Sequence, residues 1–258
     1  MFTILYHIWT EGHLKHRAYF EGGKDFIQIL HTHFISLSNK MCFFETVQDQ
    51  LRSILNCAKP EEYHYGLNYS DINQLVMDLN KSHVMSHLHC LNCNYSINIL
   101  LRYFQDYTPI GWSSNDYAGL LQTASIQSYL NYKVFKKGER SNKFCPKCYC
   151  SLLYNTQYIE ALPSILIFSL APWIEINECL IFDVSNISKE YNLKGVIYSN
   201  RNHFTTRLID DSLNVWFHDG QTTHSLCWRE QSLMDKINPV SLRSFGEYHA
   251  ILTFYVER

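Results

Sequence analysis

Two Cys-x-x-Cys pairs restrict the folds that this chain can adopt more than any other feature of its sequence. Cys90 and Cys93 form the first pair, and Cys145 and Cys148 form the second. A Cys-x-x-Cys turn points both of its sulfurs to one side, and four thiolates from two such turns complete the tetrahedral coordination of Zn²⁺. We therefore predict a closed, structural zinc site that joins two hairpins whose own core is small.

The exact ligand set of this site stays open at the level of sequence. His87 and His89 lie beside Cys90 and could replace one cysteine, and Cys150 follows Cys148 closely enough to compete with it. A redox role is disfavoured, because neither pair sits in the strand-to-helix turn of a βαβ unit where thioredoxin-like motifs occur. The pattern favours metal binding.

The composition indicates a globular protein in a reducing compartment. The 258 residues are 46% hydrophobic and 15% aromatic, which is enough for a sizeable core. The net charge of −2 gives no electrostatic reason to expect nucleic acid or an anionic membrane surface as a partner. The longest apolar run, residues 162–174, is interrupted by two prolines and falls short of the ~18 residues of a membrane span. Because no signal-peptide pattern opens the chain, we expect a cytoplasmic or nuclear protein.

Hydrophobic periodicity divides the chain into a helical first part and a β-rich remainder, which predicts an α+β protein. Residues 1–9 suit a buried helix, and two further helices are predicted up to residue 56. The apolar positions of these two helices are Phe26, Ile27, Leu30, Phe34 and Leu37, and then Phe44, Val47, Leu51, Ile54 and Leu55. The apolar run at 165–170, bounded by Pro163 and Pro172, is typical of a central strand buried on both faces.

Residues 193–220 place His203 between two runs of β-branched and aromatic residues, each of which predicts a strand. Turn-forming residues at 210–214 then predict an antiparallel return strand, which would bring Asp219 level with His203. A carboxylate there accepts the ring N–H and fixes the tautomer, as a general-base histidine requires. The alternative is a loop histidine and a carboxylate that merely opens an Asp-Gly bend.

Several motifs in the second half occur in a recognisable order. They are Leu162-Pro163 before the strand at 165–170, Tyr191-Asn192-Leu193-Lys194-Gly195-Val196-Ile197, Asn202-His203-Phe204, Trp216-Phe217-His218-Asp219 and the stretch Tyr248 to Tyr255. With the helical first part and the two cysteine pairs, this order resembles the ubiquitin-specific protease family. The sequence departs from the family in having Asn202, not glycine, before His203, and in a shorter spacing from Trp216 to Asp219.

The resemblance implies a papain-like cysteine protease fold in a single domain, 1–258. It implies a helical thumb at 1–83, zinc-stapled β fingers at 84–160 and a β-rich palm at 161–258. The implied activity is thiol-dependent hydrolysis of the C-terminal (iso)peptide bond of ubiquitin or a ubiquitin-like protein such as SUMO, with His203 as base and Asp219 as its orienting carboxylate. The alternative is a non-catalytic module of the same fold that binds ubiquitin or SUMO, or serves as a scaffold.

Cys42 is the candidate nucleophile in this chain. Asn39 precedes it and an aromatic residue follows it, as in the cysteine motif of the family, but the Leu-Gln of that motif is absent. We therefore also expect that the chain begins just downstream of the nucleophile, as a truncated or inactive member. If Cys42 is not catalytic, it is predicted to be a buried apolar residue, and the same prediction covers Cys57, Cys179 and Cys227.

Overall fold

The structure is a computed structural model. It describes residues 1–12, 14–22, 26–39, 44–58, 60–61, 83–101, 125–133, 140–161, 164–184, 187–200, 203–224, 226–235 and 240–258. Within these ranges helices dominate the first part and antiparallel strands dominate the rest. The predicted α+β class is therefore confirmed. In the same ranges no helix combines the length and the apolar character that crossing a membrane requires.

Within the described residues, four helices lie in the first part and one more lies between the strands. They are α1 (Phe2–Glu11), α2 (Leu14–Glu21), α3 (Phe26–Ser38), α4 (Phe44–Ala58) and α5 (Ile126–Lys133). The predicted helices at the start of the chain and up to residue 56 are thus present. Helix α1 buries Ile4, Leu5, Ile8 and Trp9, which recur on one face at helical spacing.

The first sheet has four antiparallel strands in the order β2-β1-β4-β3. The strands are β1 (His83–His89), β2 (Ser96–Leu101), β3 (Arg140–Phe144) and β4 (Ser151–Ala161). Two hairpins, β1-β2 and β3-β4, are joined side by side through β1 and β4. Each Cys-x-x-Cys pair lies in the turn of one hairpin, so the topology brings the two turns to the same end of the sheet.

The second sheet has eight strands, with the main order β10-β9-β8-β7-β12-β11, β5 paired with β12 and β6 paired with β7. Its strands are β5 (Ile165–Ser169), β6 (Cys179–Val184), β7 (Ile187–Asn200), β8 (His203–Ile209), β9 (Asn214–His218), β10 (Trp228–Ser232), β11 (Ser244–Phe245) and β12 (Tyr248–Glu257). The pairings of β7 with β8 and of β8 with β9 are antiparallel. This part of the sheet carries the candidate site.

The eight-stranded sheet is covered on both faces. On one face Ile165 and Ile167 pack in a core with helices α1 and α3, and on the other Leu166 and Phe168 pack in a core with α5. The run 165–170 is therefore buried on both faces as predicted, but the prediction of a central strand was wrong for the described part of the chain, where β5 pairs with β12 alone. Helix α1 approaches the sheet so closely that a Cβ on Gly195 would lie 2.7 Å from Ile4 Cγ2.

Two of the cysteines predicted to be buried are exposed, so that prediction was wrong for Cys57 and Cys179, while Cys227 is partly buried. In β6 the side chains alternate: Leu180 and Phe182 point into the core, so Cys179 points to solvent with Ile181. Cys57 lies in the last turn of α4, off the face that buries Leu55. Cys42 lies outside the described residues.

Candidate active site and candidate metal centre

Strands β8 and β9 place His203 and Asp219 together. His203 is the first residue of β8, and Asp219 directly follows the end of β9, whose His218 lies opposite Thr206. The Nε2 atom of His203 lies 3.0 Å from Oδ1 of Asp219. The contact that the sequence predicted between these two residues is formed, and their catalytic role stays a prediction.

The turn that joins β8 to β9 is held by Asp210. Its carboxylate accepts hydrogen bonds from the N–H groups of Ser212 and Asn214, both at 2.9 Å, and from the indole N–H of Trp216, also at 2.9 Å. Burial by itself raises the pKa of Asp210, but these hydrogen bonds outweigh it and lower the pKa below its ordinary value. The turn therefore fixes the register that brings Asp219 to His203.

Asp219 is only 6% exposed, and its carboxylate is nevertheless stabilised in the ionised form. Burial alone raises its pKa, but the backbone N–H of Gln221, the His203 ring and the Thr222 hydroxyl all hydrogen-bond to the carboxylate and lower the pKa below its ordinary value. The Gln221 N–H lies 2.9 Å from Oδ1, the same oxygen that contacts His203. Asp219 is thus an anion at neutral pH.

The ionised carboxylate determines which ring nitrogen of His203 carries the proton. A carboxylate accepts hydrogen bonds and does not donate them, so Nε2 must be the N–H and Nδ1 the free lone pair. Among the described residues, none hydrogen-bonds to Nδ1. The His203 side chain is 25% exposed, and its ring packs edge-on against Tyr248 with the centroids 5.9 Å apart. An oriented, partly accessible imidazole with a free Nδ1 is suited to accept a proton from a nucleophile.

No cysteine sulfur hydrogen-bonds to His203 in the described part of the chain. Cys42, the candidate nucleophile, lies in the stretch 40–43 outside that part. The structure therefore brings His203 and Asp219 into contact, while their catalytic roles and the nucleophile stay predictions.

The two cysteine pairs meet at one end of the four-stranded sheet. The sulfurs of Cys90, Cys93, Cys145 and Cys148 all lie within 4.8 Å of one another, so they are close enough to bind one metal ion. The shortest Sγ–Sγ distances are 3.4 Å for Cys90 to Cys148 and 3.4 Å for Cys93 to Cys145. A tetrahedron with metal–sulfur bonds of about 2.3 Å has an S–S edge of roughly 3.8 Å, so the sulfurs need little movement to hold Zn²⁺.

The two cysteine turns share one backbone geometry. In the first, the Cys90 N–H donates to the Tyr95 carbonyl at 2.7 Å, and the Asn94 N–H donates to the Cys90 carbonyl at 3.2 Å. In the second, the Cys145 N–H donates to the Cys150 carbonyl at 2.8 Å, and the Tyr149 N–H donates to the Cys145 carbonyl at 2.9 Å. The matching residues Asn94 and Tyr149 both have a left-handed backbone, with φ of 54° and 60°. The same hydrogen bonds and the same left-handed residue therefore define the backbone of both cysteine turns.

Hydrogen bonding shifts the pKa values of Cys148 and Cys93 in opposite directions. The pKa of Cys148 falls to about 6, because the N–H of Cys150, the side chain of Asn92 and the Cys90 thiol stabilise its thiolate. The Tyr95 N–H lowers the pKa of Cys93, but hydrogen bonds with the neighbouring thiols and burial outweigh it and raise that pKa to about 12. Thiolates are the form that binds metal, so metal binding here is coupled to proton release.

Two of the alternative ligands, His89 and Cys150, are not members of this group, although the Cys150 thiol hydrogen-bonds to Cys148. The cluster of sulfur atoms comprises the four cysteines of the two pairs, and neither His89 nor the exposed Cys150 belongs to it. The Nδ1 atom of His89 is buried and has no hydrogen-bond partner in the described part of the structure. His87 is described only in its backbone.

No protein-family model matches the chain, and no curated protein sequence matches it.

Sequence reasoning missed the residues that support the candidate pair. Thr223 and the N–H of Gln221 hold Asp219, and Tyr248 packs against the His203 ring. A threonine four positions after an aspartate in the stretch Asp-Gly-Gln-Thr-Thr is a recognisable turn signal, since Ser and Thr hydroxyls often bond to nearby backbone groups. Nothing in the sequence pointed to Tyr248, because its contact depends on the pairing of distant strands.

Proposed function

We propose that this chain is a ubiquitin-specific-protease-like domain that hydrolyses the C-terminal (iso)peptide bond of ubiquitin or a ubiquitin-like protein. The observation that carries this proposal is the His203–Asp219 pair, in which Nε2 is held by a buried, ionised carboxylate and Nδ1 is left open. A papain-like thiol protease requires this arrangement of base and orienting group. The motif order around His203 supports the same assignment.

In the proposed reaction a cysteine thiol transfers its proton to Nδ1 of His203 as the sulfur attacks the carbonyl carbon of the substrate's C-terminal glycine. The C–N bond then breaks, and the imidazolium returns the proton to the departing amine. Water then attacks the resulting thioester as Nδ1 accepts one of its protons, the C–S bond breaks to release the C-terminal carboxylate, and the imidazolium returns the proton to the cysteine sulfur. The Asp219 anion stabilises the imidazolium in both steps and is not itself protonated. Cys42 is the proposed nucleophile in this chain.

The four-cysteine centre has a structural role in the same proposal. Four sulfur ligands leave no open position for water, and this donor set suits Zn²⁺ best among common divalent ions. The four-stranded sheet then corresponds to zinc-stapled fingers, the eight-stranded sheet to a palm, and helices α1–α4 to part of a thumb. This division follows the resemblance and is supported by the separate placement of the metal centre and the His203 site on different sheets.

The decisive experiment uses ubiquitin and SUMO probes that carry a C-terminal electrophile. Wild type should form a covalent adduct with one of them. His203→Gln should lower the labelling rate about 10²-fold or more, the usual contribution of a general base. His218→Gln is the matched control, because this neighbouring histidine is outside the pair, and it should label at the wild-type rate. Cys42→Ala should abolish labelling.

Labelling that persists unchanged in His203→Gln would contradict the proposal. Labelling that survives in Cys42→Ala but not in His203→Gln would mean that the protein is active and that another cysteine is the nucleophile. Peptide mapping of the adduct would identify that cysteine.

A second candidate function is a non-catalytic module that binds ubiquitin or SUMO. The observation that favours it is that no described cysteine contacts the open nitrogen of His203. This candidate predicts that unmodified ubiquitin or SUMO binds, as measured by calorimetry, while neither probe forms an adduct. The absence of both binding and labelling would exclude both functions.

A further inference from the structure

The loop that follows β9, Asp219 to Thr223, is held by hydrogen bonds between the Thr223 side chain and the Asp219 backbone. The Thr223 hydroxyl accepts a hydrogen bond from the Asp219 N–H at 3.0 Å and donates one to the Asp219 carbonyl at 2.9 Å. The Thr223 N–H donates to the same carbonyl at 2.7 Å. Thr223 is 2% exposed, so these bonds form without competition from water. A single buried residue therefore engages both backbone polar groups of Asp219.

Fixing the backbone of Asp219 also fixes the direction of its carboxylate. Only two side-chain torsions separate the backbone from the carboxylate, and the Gln221 N–H donates to Oδ1 at 2.9 Å. The His203 contact at 3.0 Å leaves little tolerance, because a hydrogen bond weakens steeply once its length or angle departs from the favourable range. A shift of the loop by about 1 Å would break it.

We propose that Thr223 is the positioning residue of the His203–Asp219 pair. It acts through Asp219: its hydroxyl fixes the loop backbone, the backbone directs the carboxylate, and the carboxylate holds the Nε2–H of His203. The expected effect of Thr223 on the labelling rate rests on the proposed function. Its expected effect on the exchange of the His203 Nε2–H does not.

The test compares Thr223→Val with Thr223→Ser in the full chain. Valine has the shape of threonine but lacks the hydroxyl, and serine retains the hydroxyl. Thr205→Val is the matched control, because Thr205 is also 2% exposed and lies on the same strand as His203, yet its buried hydroxyl has no hydrogen-bond partner within the described residues. The control therefore measures the effect of removing a buried threonine hydroxyl that does not hydrogen-bond to Asp219.

The first readout is the imidazole N–H proton of His203, observed by NMR and assigned by its absence in His203→Gln. In wild type, Thr223→Ser and Thr205→Val the Nε2–H is expected to exchange slowly with water. In Thr223→Val the exchange rate should rise about 10-fold or more, which corresponds to the loss of one hydrogen bond to a charged group. An unchanged exchange rate in folded Thr223→Val would overturn the proposal, as would loss of the signal in folded Thr223→Ser.

The second readout is the rate of probe labelling. The maximal labelling rate should fall in Thr223→Val, with unchanged probe affinity, and recover in Thr223→Ser. If wild type does not label but the N–H signal responds as expected, the proposed function fails and the positioning role stands. If wild type labels and Thr223→Val labels equally fast, the positioning role fails alone.

Folding of Thr223→Val is checked by circular dichroism and amide dispersion. If this variant does not fold, the exchange of the Asp219 backbone amide decides. The amide should be protected in wild type and in Thr223→Ser, because it donates to the hydroxyl at position 223. Rapid exchange of that amide in wild type would overturn the proposal.

Discussion

The two sheets of this protein differ in the size of the apolar cores that the structure describes. Both faces of the eight-stranded sheet are covered by large apolar cores that include helices α1, α3 and α5. The described core of the four-stranded sheet consists mainly of Leu88, Leu152 and the cysteines themselves. Large apolar side chains at its cysteine turns, including Leu91 and Tyr149, are exposed. The eight-stranded sheet is stabilised by buried apolar surface, and for the four-stranded sheet, whose described apolar core is small, we expect a bound metal to supply the missing stability.

The largest effect is expected from removing the metal centre. Cys93→Ser, or a strong chelator, should unfold the four-stranded sheet and leave the eight-stranded sheet folded, because metal binding supplies most of the folding free energy of such small units. Amide hydrogen exchange measured separately for residues 83–101 and 187–209 would show the difference. Cys150→Ser is the control, since Cys150 is exposed and outside the sulfur cluster, and it should change neither region.

Purified protein should also contain about one tightly bound Zn²⁺ per chain. A metal-free protein with full exchange protection over residues 83–101 would contradict the difference between the sheets.

The next effect concerns a buried ion pair in the eight-stranded sheet. Arg207 is 6% exposed, and its guanidinium donates to Glu230 at 2.7 Å and 3.3 Å and to the Ser241 carbonyl at 2.8 Å. Glu230→Gln leaves the buried cation without its counter-charge and should lower the free energy of unfolding by about 3 kcal/mol. Urea denaturation would measure this loss, which should be confined to the eight-stranded sheet.

The exposed pair Arg258–Glu190 provides the control for that measurement. Its N–O distance is 2.9 Å, but both side chains are largely in water. Glu190→Gln should change the free energy of unfolding by less than about 1 kcal/mol. Equal losses in the two variants would mean that burial does not set the strength of these pairs.

A pH-dependent effect is expected at the turn between β8 and β9. The pKa of Asp210 is lower in the folded than in the unfolded protein, so its stabilising contribution is fully present above the unfolded value near 3.9 and is lost as the pH falls through the folded value. Asp210→Asn should destabilise the eight-stranded sheet by about 1–2 kcal/mol at pH 7, and the difference from wild type should shrink below about pH 4. Thermal unfolding between pH 2 and pH 7 would measure it; a difference that grows in acid would refute the assignment.

The smallest effect is expected at the cysteine turns. Tyr149 has a φ of 60°, a conformation that costs a residue with a side chain about 1 kcal/mol and costs glycine nothing. Tyr149 is 81% exposed, so Tyr149→Gly loses little packing and should stabilise the four-stranded sheet by about 1 kcal/mol. Asn94→Gly should gain less, because asparagine tolerates this conformation. Slower amide exchange in the four-stranded sheet of the metal-bound variant would confirm the gain.

Much of this architecture was predictable from local signals. The helical periodicity before residue 58, the strands on either side of His203 and the turn at Asp210 all appear as expected. The cysteine pairs also meet as predicted: a short turn fixes each pair, and the pairing of β1 with β4 brings the two turns together. The exposure of Cys57 and Cys179 was not predictable from residue type, since cysteine is buried or exposed according to which face of its element meets the core.

The sequence by itself determined which side chains could perform chemistry: four thiols in two turns, and a histidine and an aspartate that an antiparallel pair of strands brings together. The tertiary structure alone decided that Nε2 of His203 faces the carboxylate, that Thr223 fixes the Asp219 backbone and that Tyr248 packs against the ring. The physical reason is distance along the chain. Turns and periodicity are local, whereas tautomer, hydrogen-bond partners and burial depend on strands brought together from distant parts of the sequence.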